Sequence, residues 1–203
     1  MVLHTVLKRS DEYDYDYLEE MAKSIANLSV PVKIHCIHDD LNSAPSIAGV
    51  HFIPMCVDLP GWWAKLNLFL QLPGGFIYAD LDTVFVHDFT WMWMLGERSY
   101  LLSDLVSPEL AQSGLMILRR DAIDRVRRYV WMHGMEGVMS RFRGDGEFLH
   151  WLLDDHVGRI QDAAPGRVAS YMVANVAQNG VPNGASIVCF HGLPRPRMVG
   201  WVT

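Results

Sequence analysis

The sequence predicts an α/β domain built on a mostly parallel sheet, spanning 1–203 as a single unit. Strand-like and helix-like runs alternate from the N-terminus to Asp80. Phe76 to Ala79 is a short apolar run, and Val32 to Ile37 alternates as a strand does. The 203 residues are 50% hydrophobic and 20% charged, enough for one sizeable core and too few for two ordinary domains.

Val2 to Leu7 reads as the first strand. Tyr15 to Leu28 reads as a helix, with Leu18, Met21, Ile25 and Leu28 on one face, and Pro31 closes it. Val32 to Ile37 is a second strand and Val50 to Ile53 a third, separated by a loop rich in Asn, Ser, Pro and Gly. Trp62 to Leu72 reads as a helix that stops at Pro73-Gly74-Gly75, and Phe76 to Ala79 is the next strand. Val84 to Val86, Tyr100 to Ser103, Leu115 to Leu118 and Ile187 to Phe190 are further strands. Asp121 to His133 and Asp145 to His156 are helices. Ligands of such sheets bind beyond the carboxyl ends of the strands.

One such end carries Asp80-Leu81-Asp82, set between two apolar runs. Two carboxylates this close repel, and each raises the other's pKa unless a cation sits with them. A hard dication such as Mg²⁺ or Mn²⁺ takes oxygen ligands and bridges carboxylate to phosphate. Asp-x-Asp alone is a short pattern, and a second copy, Asp14-Tyr15-Asp16, opens the first helix. There the acids complement the helix dipole, and the copy reads as a solvated first turn.

The formal net charge of −6 argues against a general nucleic-acid binder. Three cysteines, Cys36, Cys56 and Cys189, lack metal-type spacing and read as free thiols of a reducing compartment. Neither a signal-peptide core nor an apolar stretch of membrane-spanning length is present. These features together predict a cytoplasmic protein.

Five segments, in this order, resemble the GT-A fold nucleotide-sugar glycosyltransferases, most closely the glycogenin-like, retaining, Asp-x-Asp group and its small bacterial and phage relatives. They are Trp62-Trp63-Ala64-Lys65-Leu66, Phe76-Ile77-Tyr78-Ala79-Asp80-Leu81-Asp82-Thr83-Val84, Gln112-Ser113-Gly114-Leu115-Met116, Gly144-Asp145-Gly146-Glu147, and Cys189-Phe190-His191-Gly192 followed by Arg195-Pro196. The resemblance implies a single-domain GT-A mixed sheet and a metal-dependent transfer of a hexose. The donor would be a nucleoside diphosphate sugar, UDP-linked, the acceptor an unidentified hydroxyl, and the configuration would be retained.

It implies Asp80, Asp82 and His191 as ligands of Mn²⁺ (or Mg²⁺), and Lys65 and Arg195 as fixed positive charge on the diphosphate. Asp145 would contact donor-sugar hydroxyls, and Ser113 and Gly114 would line the sugar pocket. Gly192 would let backbone approach phosphate, and Leu7, Lys8 and Tyr13 would hold the nucleoside. Two positions depart from the pattern. Gln112 replaces an Asn, and Gly146 replaces a Gln and removes an amide from the sugar face; Glu147 is the residue that could take its place.

Two rivals stand beside this reading. A sugar-nucleotide nucleotidyltransferase needs a Gly-rich loop after the first strand, and residues 4–10 contain no glycine. A sugar- or nucleotide-binding module without turnover is favoured by the missing amide at Gly146.

Overall fold

The computed structural model describes residues 1–201. Its main sheet contains β1 (Val2–Leu7), β2 (Lys33–His38), β3 (Val50–Pro54), β4 (Phe76–Ala79), β6 (Tyr100–Ser103), β7 (Ala111–Leu118) and β8 (Gly158–Arg159), in the order β3-β2-β1-β4-β7-β6-β8. The first four strands pair in parallel. Beyond β4 the sheet is mixed: β7 runs antiparallel to both β4 and β6, and β8 pairs with β6 in parallel. A second, three-stranded sheet is formed by β5 (Thr83–Phe85), β10 (Ile187–Cys189) and β9 (Val168–Ser170), in the order β5-β10-β9.

Both faces of the main sheet are covered. Alternation along β4 sends Phe76 and Tyr78 to one face, where they pack with α2 (Leu66–Gln71), α3 (Arg120–Arg141) and α4 (Asp145–Leu153). Ile77 and Ala79 face the other side, with Leu18, Met21 and Ile25 of α1 (Tyr15–Asn27). Asp14 caps α1, its carboxylate accepting from the Asp16 backbone N–H at 3.0 Å. The Asp14-x-Asp16 copy is therefore a helix start, paired with Arg197 at 3.2 and 2.7 Å.

The chain steps from β1 outward to β2 and β3, then returns to place β4 on the other side of β1. The crevice at the carboxyl ends of β1 and β4 is thus a topological switch point, where ligands of open α/β sheets bind. Several elements differ from the sequence reading. The segment before α2 is a 3-10 turn over Gly61–Lys65. The helix begun at Arg120 breaks after His133, where the sequence reading ended it, because Gly134 takes a non-helical φ of 69° that a side chain disfavours; a second helical segment then runs on to Arg141. Strands β8 and β9 and the short helices α5 (Ile160–Ala163) and α6 (Val176–Asn179) carry too few residues for a periodic signal. Among the described residues, no helix is long and apolar enough to cross a membrane.

Candidate active site

A cavity of about 940 Å³ opens over the carboxyl ends of β1 and β4. That is the size of a small-molecule or cofactor site. Its floor is a buried charge network. The Lys65 ammonium lies 3.0 Å from Asp80 Oδ1, 3.1 Å from Asp145 Oδ2 and 3.1 Å from Ser113 Oγ. Ser113 Oγ donates to Asp145 Oδ2 at 2.5 Å. The Tyr78 hydroxyl donates to Asp80 Oδ1, and its ring centre lies 5.3 Å from the Lys65 ammonium.

Lys65 is only 7% exposed and Asp145 only 4%. Burial by itself favours a neutral amine, but Asp145 and then Asp80 outweigh it and raise the Lys65 pKa, so the site holds a fixed cation.

Local backbone geometry assembles this floor. Pairing of β6 with β7 steps from Leu101↔Met116 to Leu102↔Gln112, so residues 113–115 are looped out of that ladder. Such an irregularity re-aims side chains beside active sites, and here it presents Ser113 to the cavity. Gly114 accepts the Asp80 backbone N–H at 2.8 Å. A Cβ on Gly114 would stand 3.3 Å from Asp80 Oδ2 and 3.0 Å from Gln112 Oε1, so glycine lets the carboxylate pack closely. Asp145 is the first residue of α4, where the helix dipole favours a carboxylate. Glu147 Oε2 accepts the Arg143 backbone N–H at 2.7 Å, tying Glu147 to the start of that helix.

A second cluster surrounds Asp82. Arg195 forms an ion pair with its Oδ2, and the Tyr13 hydroxyl donates to the same oxygen at 3.1 Å. Burial, then the neighbouring Asp80 charge, raises the Asp82 pKa, and Arg195 opposes them. Burial, then Asp82, also raises the Tyr13 pKa and keeps the phenol protonated as a donor. The Arg195 guanidinium stands 5.2 Å from the Tyr13 ring centre. His191 reaches the cavity from the end of β10, with Nε2 2.6 Å from Ser170 Oγ of β9.

Among the residues expected from the sequence, Lys8, Tyr13, Lys65, Asp80, Asp82, Ser113, Gly114, Asp145, His191 and Arg195 all line this cavity. Lys8 does so while paired with Asp58. The side chain of Leu7 goes elsewhere. Strand alternation buries it in the core under α1, and Val6 and Lys8 face the cavity instead. Gly192, with φ 74°, follows His191 but is not part of the cavity wall. Asp80, Asp82 and His191 line one cavity but do not converge on one point: among the described residues, no three of His, Cys, Asp or Glu gather at a metal's distance. Asp82 is engaged by Arg195 and Tyr13, and His191 by Ser170.

Three site residues carry a weak signal in the sequence or none. Tyr78 stands in the Asp-x-Asp segment but reads as core, because its strand is apolar throughout. Ser170 belongs to no motif. Trp62 reads as core or helix packing, with a sugar-stacking platform as the lesser reading, and it is 67% exposed at the cavity wall.

Fold and cavity together define a mixed α/β domain with the GT-A architecture of nucleotide-sugar glycosyltransferases. The galactosyltransferase LgtC, solved with donor and acceptor sugar analogs, superimposes with a TM-score of 0.69 at 14% identity, covering 100% of this chain and 96% of that one. An active-site mutant of LgtC gives 0.70 at 15% identity, covering 97% and 89%. The glycosyltransferase GlyE of Streptococcus pneumoniae TIGR4 gives 0.63 at 15% identity, covering 96% of this chain and 55% of its own. At such identities the likeness establishes the fold alone. No protein-family model matches the chain, and no curated protein matches it in sequence.

Proposed function

We propose that this protein, acting as one catalytic domain over 1–203, transfers a hexose from a UDP-linked sugar to a hydroxyl acceptor with retention of configuration, assisted by Mn²⁺ or Mg²⁺. The observation that carries the reading is the buried Lys65–Asp145–Ser113–Asp80 network at the floor of a ligand-sized cavity, on a fold shared with glycosyltransferases.

The residues divide the work by charge. Lys65 and Arg195 offer fixed positive charge to the departing diphosphate, which lowers the cost of the negative charge that develops there. Lys65 cannot shed its proton readily, because Asp145 and Asp80 hold it. Asp145 receives Lys65 and Ser113 on Oδ2 and keeps Oδ1 to accept a sugar hydroxyl. Tyr13 and Val6 flank the cavity where a nucleoside would sit. For retention, the acceptor hydroxyl attacks the anomeric carbon on the face the diphosphate leaves, and its proton passes to the departing phosphate oxygen.

Chemistry of the donor set favours a dication: two carboxylates and an imidazole, Asp80, Asp82 and His191, would hold Mn²⁺, which neutralises charge on the leaving diphosphate. The charge balance agrees. Asp80, Asp82 and Asp145 oppose Lys65 and Arg195, which leaves one negative charge before a diphosphate enters. A cytoplasmic setting is part of the same proposal, supported by the free Cys36, Cys56 and Cys189.

The test is a screen of UDP-sugars with Mn²⁺, read as UDP release. The proposal expects release from one hexose donor, strongly reduced in Asp145→Asn. A binding module without turnover is the second reading, favoured by Gly146, where an added Cβ would meet just Ser113 Oγ at 3.7 Å and no amide fills the space. Donor binding with no UDP release from any sugar supports that reading. Release of UTP that depends on pyrophosphate supports a nucleotidyltransferase.

A further inference from the structure

The 3-10 turn that delivers Lys65 also delivers Trp62. Residues three apart eclipse in a 3-10 helix, so Trp62 and Lys65 lie on one side of the turn, one above the other. Trp63 points the other way, 7% exposed, with its ring 6.5 Å from Phe148 in the core. Trp62 stays 67% exposed on the cavity wall. A large apolar side chain held at the mouth of a polar cavity forgoes its burial energy there unless something covers it.

Its placement relative to the charge network is close. A Cβ built on Gly144 would lie 3.1 Å from Trp62 Nε1 and 3.3 Å from Cδ1, so the five-membered edge of the indole rests against the Gly144 backbone. Gly144 directly precedes Asp145. The indole thus packs on the residue next to Asp145, and Trp62 shares one side of the 3-10 turn with Lys65. Arg143 and Glu147 line the same wall with polar groups. This wall belongs to the Lys65–Asp145 cluster, whereas Tyr13, Asp82 and Arg195 form the other cluster.

We infer that Trp62 is the platform on which a pyranose acceptor stacks its apolar C–H face, with its hydroxyls turned to the flanking polar side chains; the acceptor is a glycan. An aromatic face with polar neighbours matches a sugar ring, which presents C–H groups on its faces and hydroxyls around its rim. The inference rests on the transferase reading for its acceptor role. A direct binding measurement separates the two.

The indole N–H signal of Trp62, identified by its loss in Trp62→Phe, is followed by NMR in protein labelled with ¹⁵N-tryptophan. Lactose, maltose and cellobiose are titrated in turn, with UDP and diamagnetic Mg²⁺ present. The Trp62 signal shifts saturably with at least one disaccharide, while that of Trp131, 85% exposed and remote from the cavity lining, stays fixed. That disaccharide accelerates UDP release. Trp62→Ala raises its KM by roughly fivefold to tenfold, the range of an aromatic face contact, with little change in donor KM, and Trp62→Phe recovers most of the loss. A Trp62 signal that ignores all three sugars, or an acceptor KM unaltered in Trp62→Ala, overturns the inference. Absence of UDP release from every donor contradicts the transferase reading, and the NMR titration still decides whether Trp62 binds sugar.

Discussion

Lys65→Met removes a buried cation from between two carboxylates and keeps a side chain of similar length. The structure sets the size of the effect. The Lys65 and Asp145 side chains are 8% and 5% exposed and meet at 3.1 Å. Breaking a buried pair from one side costs about 3–5 kcal/mol, because the remaining charge is left without compensation. The Asp80 carboxylate is 33% exposed, so solvent screens its share to at most about 1 kcal/mol. Asp145→Asn removes the partner's charge while keeping its shape. If the loss in Lys65→Met is the unpaired Asp145, the double variant Lys65→Met/Asp145→Asn recovers part of it. The coupling in a double-mutant cycle is then about 2 kcal/mol or more. Urea denaturation at neutral pH measures all four proteins. Coupling below about 0.5 kcal/mol, the ordinary limit of additivity, would refute a directly coupled buried pair. Donor turnover in the single Lys65→Met variant should fall about 100-fold or more, the scale of losing a preorganised charge in a water-poor site.

Other consequences can be measured separately. His4 is partly buried, its Nδ1 3.3 Å from the Ile77 carbonyl, and burial and then the His35 charge lower its pKa to about 4. The unfolded chain takes up that proton near 6.5, so between the two values it binds more protons than the folded one. Stability is therefore intact above about 6.5 and falls as pH drops toward 4, by roughly 2–3 kcal/mol at pH 4.5. His4→Asn should remove that part of the acid sensitivity in denaturation curves, and an unchanged pH profile counts against it. Gly114→Ala pushes a Cβ to 3.3 Å from Asp80 Oδ2, so donor KM should rise while urea stability moves by at most about 1 kcal/mol; a normal donor KM contradicts the packing argument. In Gly75→Ala the new Cβ meets the Leu118 carbonyl oxygen at 2.7 Å, where backbone must yield, and thermal or urea stability should drop by about 1–3 kcal/mol.

Much of the fold could be read in the chain because local and global signals agreed. The apolar runs of β1, β4 and β10 and the amphipathic face of α1 appear where expected, since each is long or apolar enough to announce its period. Leu7 shows the limit. Period-two alternation says that Leu7 and Lys8 face opposite ways, but nothing local says which side holds the cavity. The structure assigns it to Lys8. The antiparallel pairing of β7 with β4 depends on contacts between strands distant in sequence, and the looped-out 113–115 is a register shift against the neighbouring β6 that no period announces. For Trp62 the obstacle was helix type. An α-helical period and a 3-10 period aim it differently, and four or five residues carry too little pattern to choose. His191 and Ser170 meet because β9 and β10 pair in parallel, and β9 has just three residues.

Whether Asp80, Asp82 and His191 hold a dication beneath a nucleoside diphosphate is tested most directly by the EPR signal of free Mn²⁺ titrated with protein in the presence of UDP. The proposed site predicts that wild-type protein removes the signal with one ion bound per chain, and that Asp82→Asn and His191→Ala each bind it far more weakly. A signal that wild-type protein leaves untouched, or that both variants remove as well as wild type, would contradict the metal–diphosphate site.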